Sequence, residues 1–204
     1  MPPGERLNTL THLAGTVLAL GAAVPLLARA SGQGGGALAS AAVYALALLL
    51  MYACSTLYHG SAGRLRQLVR RLDHISIYLL IAGSYTPFCV LLLERRAAWL
   101  LLGAVWSLAL FGIVQELRTH RGARVLSLCV YLAMGWAAVT VLGPLRAGLG
   151  PAGFAWLVGG GVAYTGGVVF YVLDKRLRHA HGIWHVFVLL GSAAHFIAIY
   201  GYVL

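Results

Sequence analysis

Apolar residues run for about twenty positions at a time along this chain, interrupted only by short clusters of charge, glycine or proline. A helix needs about 20 mostly apolar residues to cross roughly 30 Å of hydrocarbon. Cutting the chain at the clusters therefore predicts seven spans, at roughly 8–29, 37–59, 73–93, 97–116, 124–143, 151–173 and 182–203. The separators are Ser31 to Gly36, a basic segment from Gly60 to Leu72, Glu94-Arg95-Arg96, Arg118 to Arg124, Arg146 to Gly150, and Asp174 to Ala180. Such short connections make successive helices antiparallel, so the expected fold is all-α, a seven-helix transmembrane bundle forming a single domain over residues 1–204. Within the basic segment, Leu65, Leu68, Val69 and Leu72 recur at helical spacing, which fits a short interfacial helix as well as a plain loop. The first run also reads as a secretory signal ending at Ala28-Arg29-Ala30. Asn8, Thr9, Thr11 and His12 put polar groups where a signal's apolar region begins, and favour a retained span.

Composition narrows the class. The 204 residues are 60% hydrophobic and only 10% charged, whereas soluble domains average about 25% charged residues. That describes a multi-pass protein of the cell membrane with little outside the bilayer, and excludes a soluble domain or a nucleic-acid-binding module. The net charge of +10 follows from loop arginines and lysines. Arg6, Arg64, Arg66, Arg70, Arg71, Arg118, Arg121, Arg124, Lys175, Arg176 and Arg178 fall on one side, and Arg29, Arg95, Arg96 and Arg146 on the other. Eleven against four places the N-terminus in the cytoplasm and the C-terminus outside, with anionic lipid headgroups as the natural partners of the basic face. Cys54, Cys89 and Cys129 lack a CxxC spacing and read as core residues. Gly159-Gly160-Gly161 and Gly166-Gly167 are expected to let helices approach closely, and Pro87 to kink or open the third span.

Polar groups inside hydrocarbon are costly and are functional candidates by default. With the orientation above, Ser55-Thr-Leu-Tyr-His59, Asp73-His74 and His181-Gly-Ile-Trp-His185 converge at the cytoplasmic end of the bundle. His181 and His185 share a helix face, about 6 Å apart along the axis, and can chelate one ion. A third imidazole from another helix would complete the three-ligand set of a catalytic zinc site, and imidazoles without thiolates make zinc the default metal. Asp73 is placed to act as a base or to bond a water on the metal, and Ser55, one turn before His59, to support the ligands or bind a substrate oxygen. An HxxxH pair also occurs in helices that bind nothing, and spacing alone leaves that alternative open.

Taken together, Glu5-Arg-Leu-Asn8-Thr-Leu-Thr-His12, Ser55-Thr-Leu-Tyr-His59, Leu72-Asp73-His74-Ile-Ser-Ile-Tyr78, Ala82-Gly-Ser-Tyr-Thr-Pro87-Phe, and His181-Gly-Ile-Trp-His185 followed by His195 resemble the bacterial hemolysin III proteins, within the progestin and adipoQ receptor family. The resemblance covers essentially the whole chain. It implies a seven-helix bundle with a cytoplasmic N-terminus and a zinc ion held by His59, His181 and His185. Asp73 would reach that ion through water, with Ser55 beside the first histidine. Eukaryotic relatives carry an extra cytoplasmic N-terminal region with no counterpart here, so receptor-like coupling is not carried over.

Glu5, Asn8 and His12 share one face of the first span and are expected to form a hydrogen-bond network or line a cavity rather than bind metal. His195, about 15 Å deeper than His185 by helix rise, should bond a neighbouring helix or line a cavity. His74 reads as a packing or interfacial residue and His120 and His179 as loop residues, while Gln115 and Glu116 fit either a cavity or simple snorkelling. Two functions stay open: a zinc-dependent hydrolase of an amide or ester lipid or a membrane-homeostasis protein, the hydrolase favoured by the relatives' resemblance to membrane ceramidases, and a non-enzymatic sensor, receptor-like or cytolytic, pore-forming protein with a structural zinc. The charge count generates a direct test. Reporter fusions in the Gly60–Leu72 segment and at the C-terminus should report opposite sides of the membrane, and the same side for both would overturn the span count.

Overall fold

The computed structural model describes residues 4–118 and 124–204, and every element in it is helical. The chain runs through α1 (Arg6–Ser31), α2 (Gly35–Gly60), α3 (Gly63–Leu92), α4 (Arg95–Arg118), α5 (Arg124–Trp136), a 3-10 turn (Ala137–Val141), α6 (Leu142–Val172), α7 (Ala180–Ala198) and a π-helical turn (Ile199–Val203). His120 and Arg121 lie outside the described residues. Glycine ends α1 and starts α2, with Gly34 at φ 99°, a conformation that L side chains rarely adopt. The basic segment differs from expectation: it is neither loop nor separate helix but the first turns of α3, because no breaker separates Gly63 from the span that follows. Helix α3 also runs unbroken through Pro87.

Among the described residues, six helical stretches are long and apolar enough to cross a membrane. Their outer faces carry exposed leucines and valines such as Leu18, Val24, Leu110, Val125 and Leu190, as lipid-facing surfaces do. The chain is thus a multi-pass membrane protein. The expected fifth and sixth spans form one helical stretch, Arg124–Val172, 49 residues long. The segment from Arg146 to Leu149, expected as a loop, is helical, and Leu145 and Leu149 are buried. Within α6, Gly150 alone departs from helical geometry, at φ 64° and ψ 178°, ahead of Pro151. The stretch folds back there. Arg124 donates to the Tyr171 carbonyl, and Trp136 Nε1 donates to Thr165 Oγ1 at 3.2 Å, contacts that a straight helix of this length forbids.

Helix α2 packs between α1 and α3, α7 packs against α6 and α1, and α4 lies against α3. Leu26, Tyr44, Tyr52, Leu145, Val188 and Ile199 belong to one apolar cluster, and Tyr78, Cys89, Val105 and Met134 to a second. Buried hydroxyls stitch the helices where a lone polar group would be costly. Tyr52 donates to Ser192 at 2.8 Å, and Tyr164 lies 2.8 Å from the same hydroxyl, joining α2, α6 and α7. Tyr85 donates to the Met134 carbonyl at 2.8 Å and accepts from the Ala138 amide at 3.0 Å, satisfying backbone groups where α5 tightens into the 3-10 turn. Cys89 is core as expected, but Cys129 is exposed, because Ser127, Val130 and Met134 take the inward face of α5.

The glycine cluster of α6 splits by face. A Cβ at Gly160 would sit 2.2 Å from the His195 ring and one at Gly167 2.7 Å from Phe187, whereas Gly159 and Gly161 face open space. Gly160→Ala is therefore expected to destabilise the protein by about 1–3 kcal/mol, read as a lower melting temperature in detergent, while Gly159→Ala leaves it unchanged. Equal melting temperatures for the two variants would remove the packing role of Gly160.

Candidate metal site

Three imidazoles meet at one end of the bundle. His59 stands in the last turn of α2 and His181 and His185 in the first turns of α7. Helix α7 begins where His179 takes a left-handed conformation, φ 64°, which turns the chain out of the basic connection. The three ring centroids lie 4.8–5.1 Å apart, and one ligand atom from each residue falls within 4.8 Å of the others. Distances of this order allow one ion to sit between the three nitrogens.

The hydrogen bonds select which nitrogens are available. His59 Nδ1 lies 2.7 Å from Glu5 Oε2, so Nδ1–H donates to the carboxylate and the lone pair stays on Nε2. His185 Nδ1 lies 3.2 Å from both the Asn8 carbonyl and the Thr11 hydroxyl, which again leaves Nε2 free. Both Nε2 atoms are buried and have no hydrogen-bond partner. His181 Nδ1 faces Asp174 Oδ2 at 3.6 Å. Buried, unpaired lone pairs on converging imidazoles, each backed by an acceptor on the other ring nitrogen, fit a metal ion.

Each supporting carboxylate is itself held by an arginine. Arg66 of α3 pairs with Glu5, and Asn8 Nδ2 donates to the same acid at 2.7 Å. Burial opposes the charge on Glu5, but the hydrogen bonds from Asn8, His59 and Arg66 outweigh it and bring its carboxyl down to about 2. Arg124 of α5 pairs with Asp174 at 3.0 Å and covers the Tyr171 ring at 4.2 Å. Close approach of α1 to α7 needs Gly182, where a Cβ would meet Leu7 at 2.4 Å.

Ser55 and Asp73 are buried and line an apolar cavity of about 220 Å³ together with His12. Asp73 is outside the three-histidine group. His195 meets both of its expectations: it lies 3.2 Å from the Leu157 carbonyl and lines the deeper part of the same cavity. His74 and Glu116 form a pair of their own, 3.4 Å apart, with Ser127 donating to Glu116 at 2.8 Å. Glu116 is thus a buried partner of α3 and α5 rather than a snorkelling side chain. Sequence reasoning missed Asp174, Arg66, Arg124 and Thr11. For Asp174 a signal existed, since it is the lone acid in the basic connection that leads into His181-Gly-Ile-Trp-His185.

The family profile described as Haemolysin-III related matches residues 3–196. Hemolysin-3 of Bacillus cereus is 38% identical over 203 residues, covering 98% of this chain and 92% of that protein. A Hemolysin-3 homolog of Bacillus subtilis is 40% identical over 200 residues, covering 97% and 93%. The human monocyte to macrophage differentiation factor is 29% identical over 170 residues, covering 78% of this chain and 68% of that protein. The chain belongs to the haemolysin-III-related family.

The supporting carboxylates can be tested with all three histidines intact. Glu5→Gln and Asp174→Asn are each expected to weaken binding of a divalent metal by about 10–100-fold, measured by competition with a chromophoric chelator. Wild-type affinity in both variants would show that the acids do not tune the imidazoles.

Proposed function

We propose that this haemolysin-III-related protein is a zinc-dependent lipid hydrolase that cleaves an amide or ester bond of a membrane lipid. The observation that carries the reading is the proximity of three converging imidazoles to an apolar cavity lined by Ser55, Asp73 and His12, the last of which stacks on His185. His59, His181 and His185 would hold the ion. Zinc is the favoured metal because the donor set is all imidazole, without thiolate. When bound, it supplies a Lewis acid that polarises a carbonyl and lowers the pKa of water toward 7.

The chain's own residues do the rest. The cavity takes the hydrocarbon chain and excludes bulk water. Asp73 acts as general base, taking the proton from the attacking water, and returns it to the leaving nitrogen or oxygen. Ser55 supports that carboxylate or binds a substrate oxygen. In the membrane we read seven crossings, with the turn at Gly150-Pro151 separating the fifth from the sixth, because about 74 Å of helix is more than twice the hydrocarbon thickness. The charge bias then puts the site at the cytoplasmic end, against anionic headgroups.

A second reading has an observation of its own. The histidines and their carboxylate and arginine partners join α1, α2, α3, α5 and α7, as a structural clamp would, and a clamp serves a sensor or a cytolytic protein equally well. Two variants separate the readings. Under the hydrolase reading Asp73→Asn retains zinc and melting temperature but loses about 10²–10⁴-fold in turnover, measured as fatty acid released from a panel of amide- and ester-linked lipids. Under the clamp reading wild type releases nothing across the panel, and only His59→Ala changes the protein, by lowering zinc content and melting temperature.

A further inference from the structure

Of the three converging imidazoles, one is open to solvent. His185 is fully buried and the His59 side chain is 3% exposed, whereas the His181 side chain is 26% exposed. Among the described residues, the open way to the centre therefore runs past His181.

Two cavities offer approaches, and their chemistry differs. The apolar cavity has Tyr171, Trp184 and His12 in its wall but none of the three histidines of the centre. Those rings stand against the histidines. Trp184 lies 5.0 Å from His181 and 5.1 Å from His185 between centroids, Tyr171 lies 6.4 Å from His181, and His12 stacks on His185 at 3.6 Å. A divalent cation arriving from that side would have to shed its water against apolar and aromatic surface, which is costly. The second cavity, about 330 Å³, lies at the start of α7 and is lined by Asn8, Asp174, Arg178, His179 and His181 itself. Polar side chains and water can keep an ion solvated there up to the first ligand. Asp174, with Oδ2 3.6 Å from His181 Nδ1, sets a carboxylate beside that ligand. Arg178 is exposed on the same lining and sets a like charge against an arriving cation.

We propose that this polar pocket is the port through which a divalent cation enters and leaves the three-histidine centre, and that Arg178 slows its passage by charge repulsion. The apolar cavity is not a route for the ion, so metal exchange proceeds whether or not that cavity is filled. The inference rests on the reading of His59, His181 and His185 as metal ligands, and not on hydrolysis.

Cobalt(II) is a suitable probe, because imidazole ligation changes its visible absorption. Stopped-flow mixing with metal-free protein in detergent gives the uptake rate, and an excess of chelator gives the release rate. Arg178→Glu is expected to speed uptake about 3–10-fold at low ionic strength, a gain that added salt removes. Arg176→Glu makes the same charge change two residues away, outside the pocket lining, and should have a smaller effect. Arg178→Cys carrying a bulky maleimide should take up and release cobalt more slowly than the unlabelled variant by one common factor, with equilibrium affinity unchanged, since a plug alters the path and not the ligands. The labelling uses a Cys129→Ser background, because Cys129 is exposed. Unchanged rates in the labelled variant overturn the port. No acceleration by Arg178→Glu, or equal acceleration by both glutamate variants, overturns the role of Arg178. A label that lowers affinity also overturns the inference, by making the pocket part of the ligand set rather than a path. Wild type that binds no cobalt defeats the port and the metal assignment together. The expected rates in a protein that cleaves no lipid defeat the hydrolase reading alone.

Discussion

A polar group in hydrocarbon must find a partner, and most of the structure follows from that constraint. The chain has five acidic residues, and Glu5, Asp73, Glu116 and Asp174 all lie close to a histidine at one end of the bundle. None of them stands alone in the apolar layer. The imidazoles benefit in turn, because a carboxylate or carbonyl on Nδ1 fixes both the tautomer and the ring direction. A histidine free to rotate would present either nitrogen; His59 and His185 present Nε2 alone.

The two arginine–carboxylate–histidine chains have a common logic. A carboxylate that supports a metal ligand must stay charged in a partly buried place, and a guanidinium supplies both charge and fixed donors. Arg66 does this for Glu5 from α3, and Arg124 for Asp174 from α5. Neither arginine contributes a ligand, yet each helix is thereby coupled to the ligand geometry. The same arginines belong to the basic face that the charge count expects in the cytoplasm, so on that expectation one set of charges would serve both orientation and site construction.

Much of this is legible in the sequence. Spans appear in apolar runs, and the convergence of His59, His181 and His185 follows from alternating direction alone, because antiparallel helices bring the end of the second run and the start of the last to the same side. Partners of the second rank are not legible. Arg66 reads as one basic residue among several, and only the continuation of α3 back to Gly63 brings it to Glu5. Arg124 reads as a loop end, and its meeting with Asp174 depends on the reversal at Gly150, which no periodicity announces. The glycine faces of α6 are likewise hidden, since a run of three gives no direction until the neighbouring helix is known.

Within a bilayer, apolar faces do not choose their neighbours strongly, because lipid tails are as apolar as leucine. Specific pairing must come from close small-residue contacts and from polar groups that would otherwise be unmet. Both devices operate where the first and last helices meet. Gly182 lets α1 approach α7, and the Asn8 carbonyl and Thr11 hydroxyl then receive the ring of His185. Glu5 extends the contact to α2 through His59. The imidazole cluster thus forms only when the two ends of the chain have closed the bundle, so the contacts that specify helix order are the same contacts that build the site.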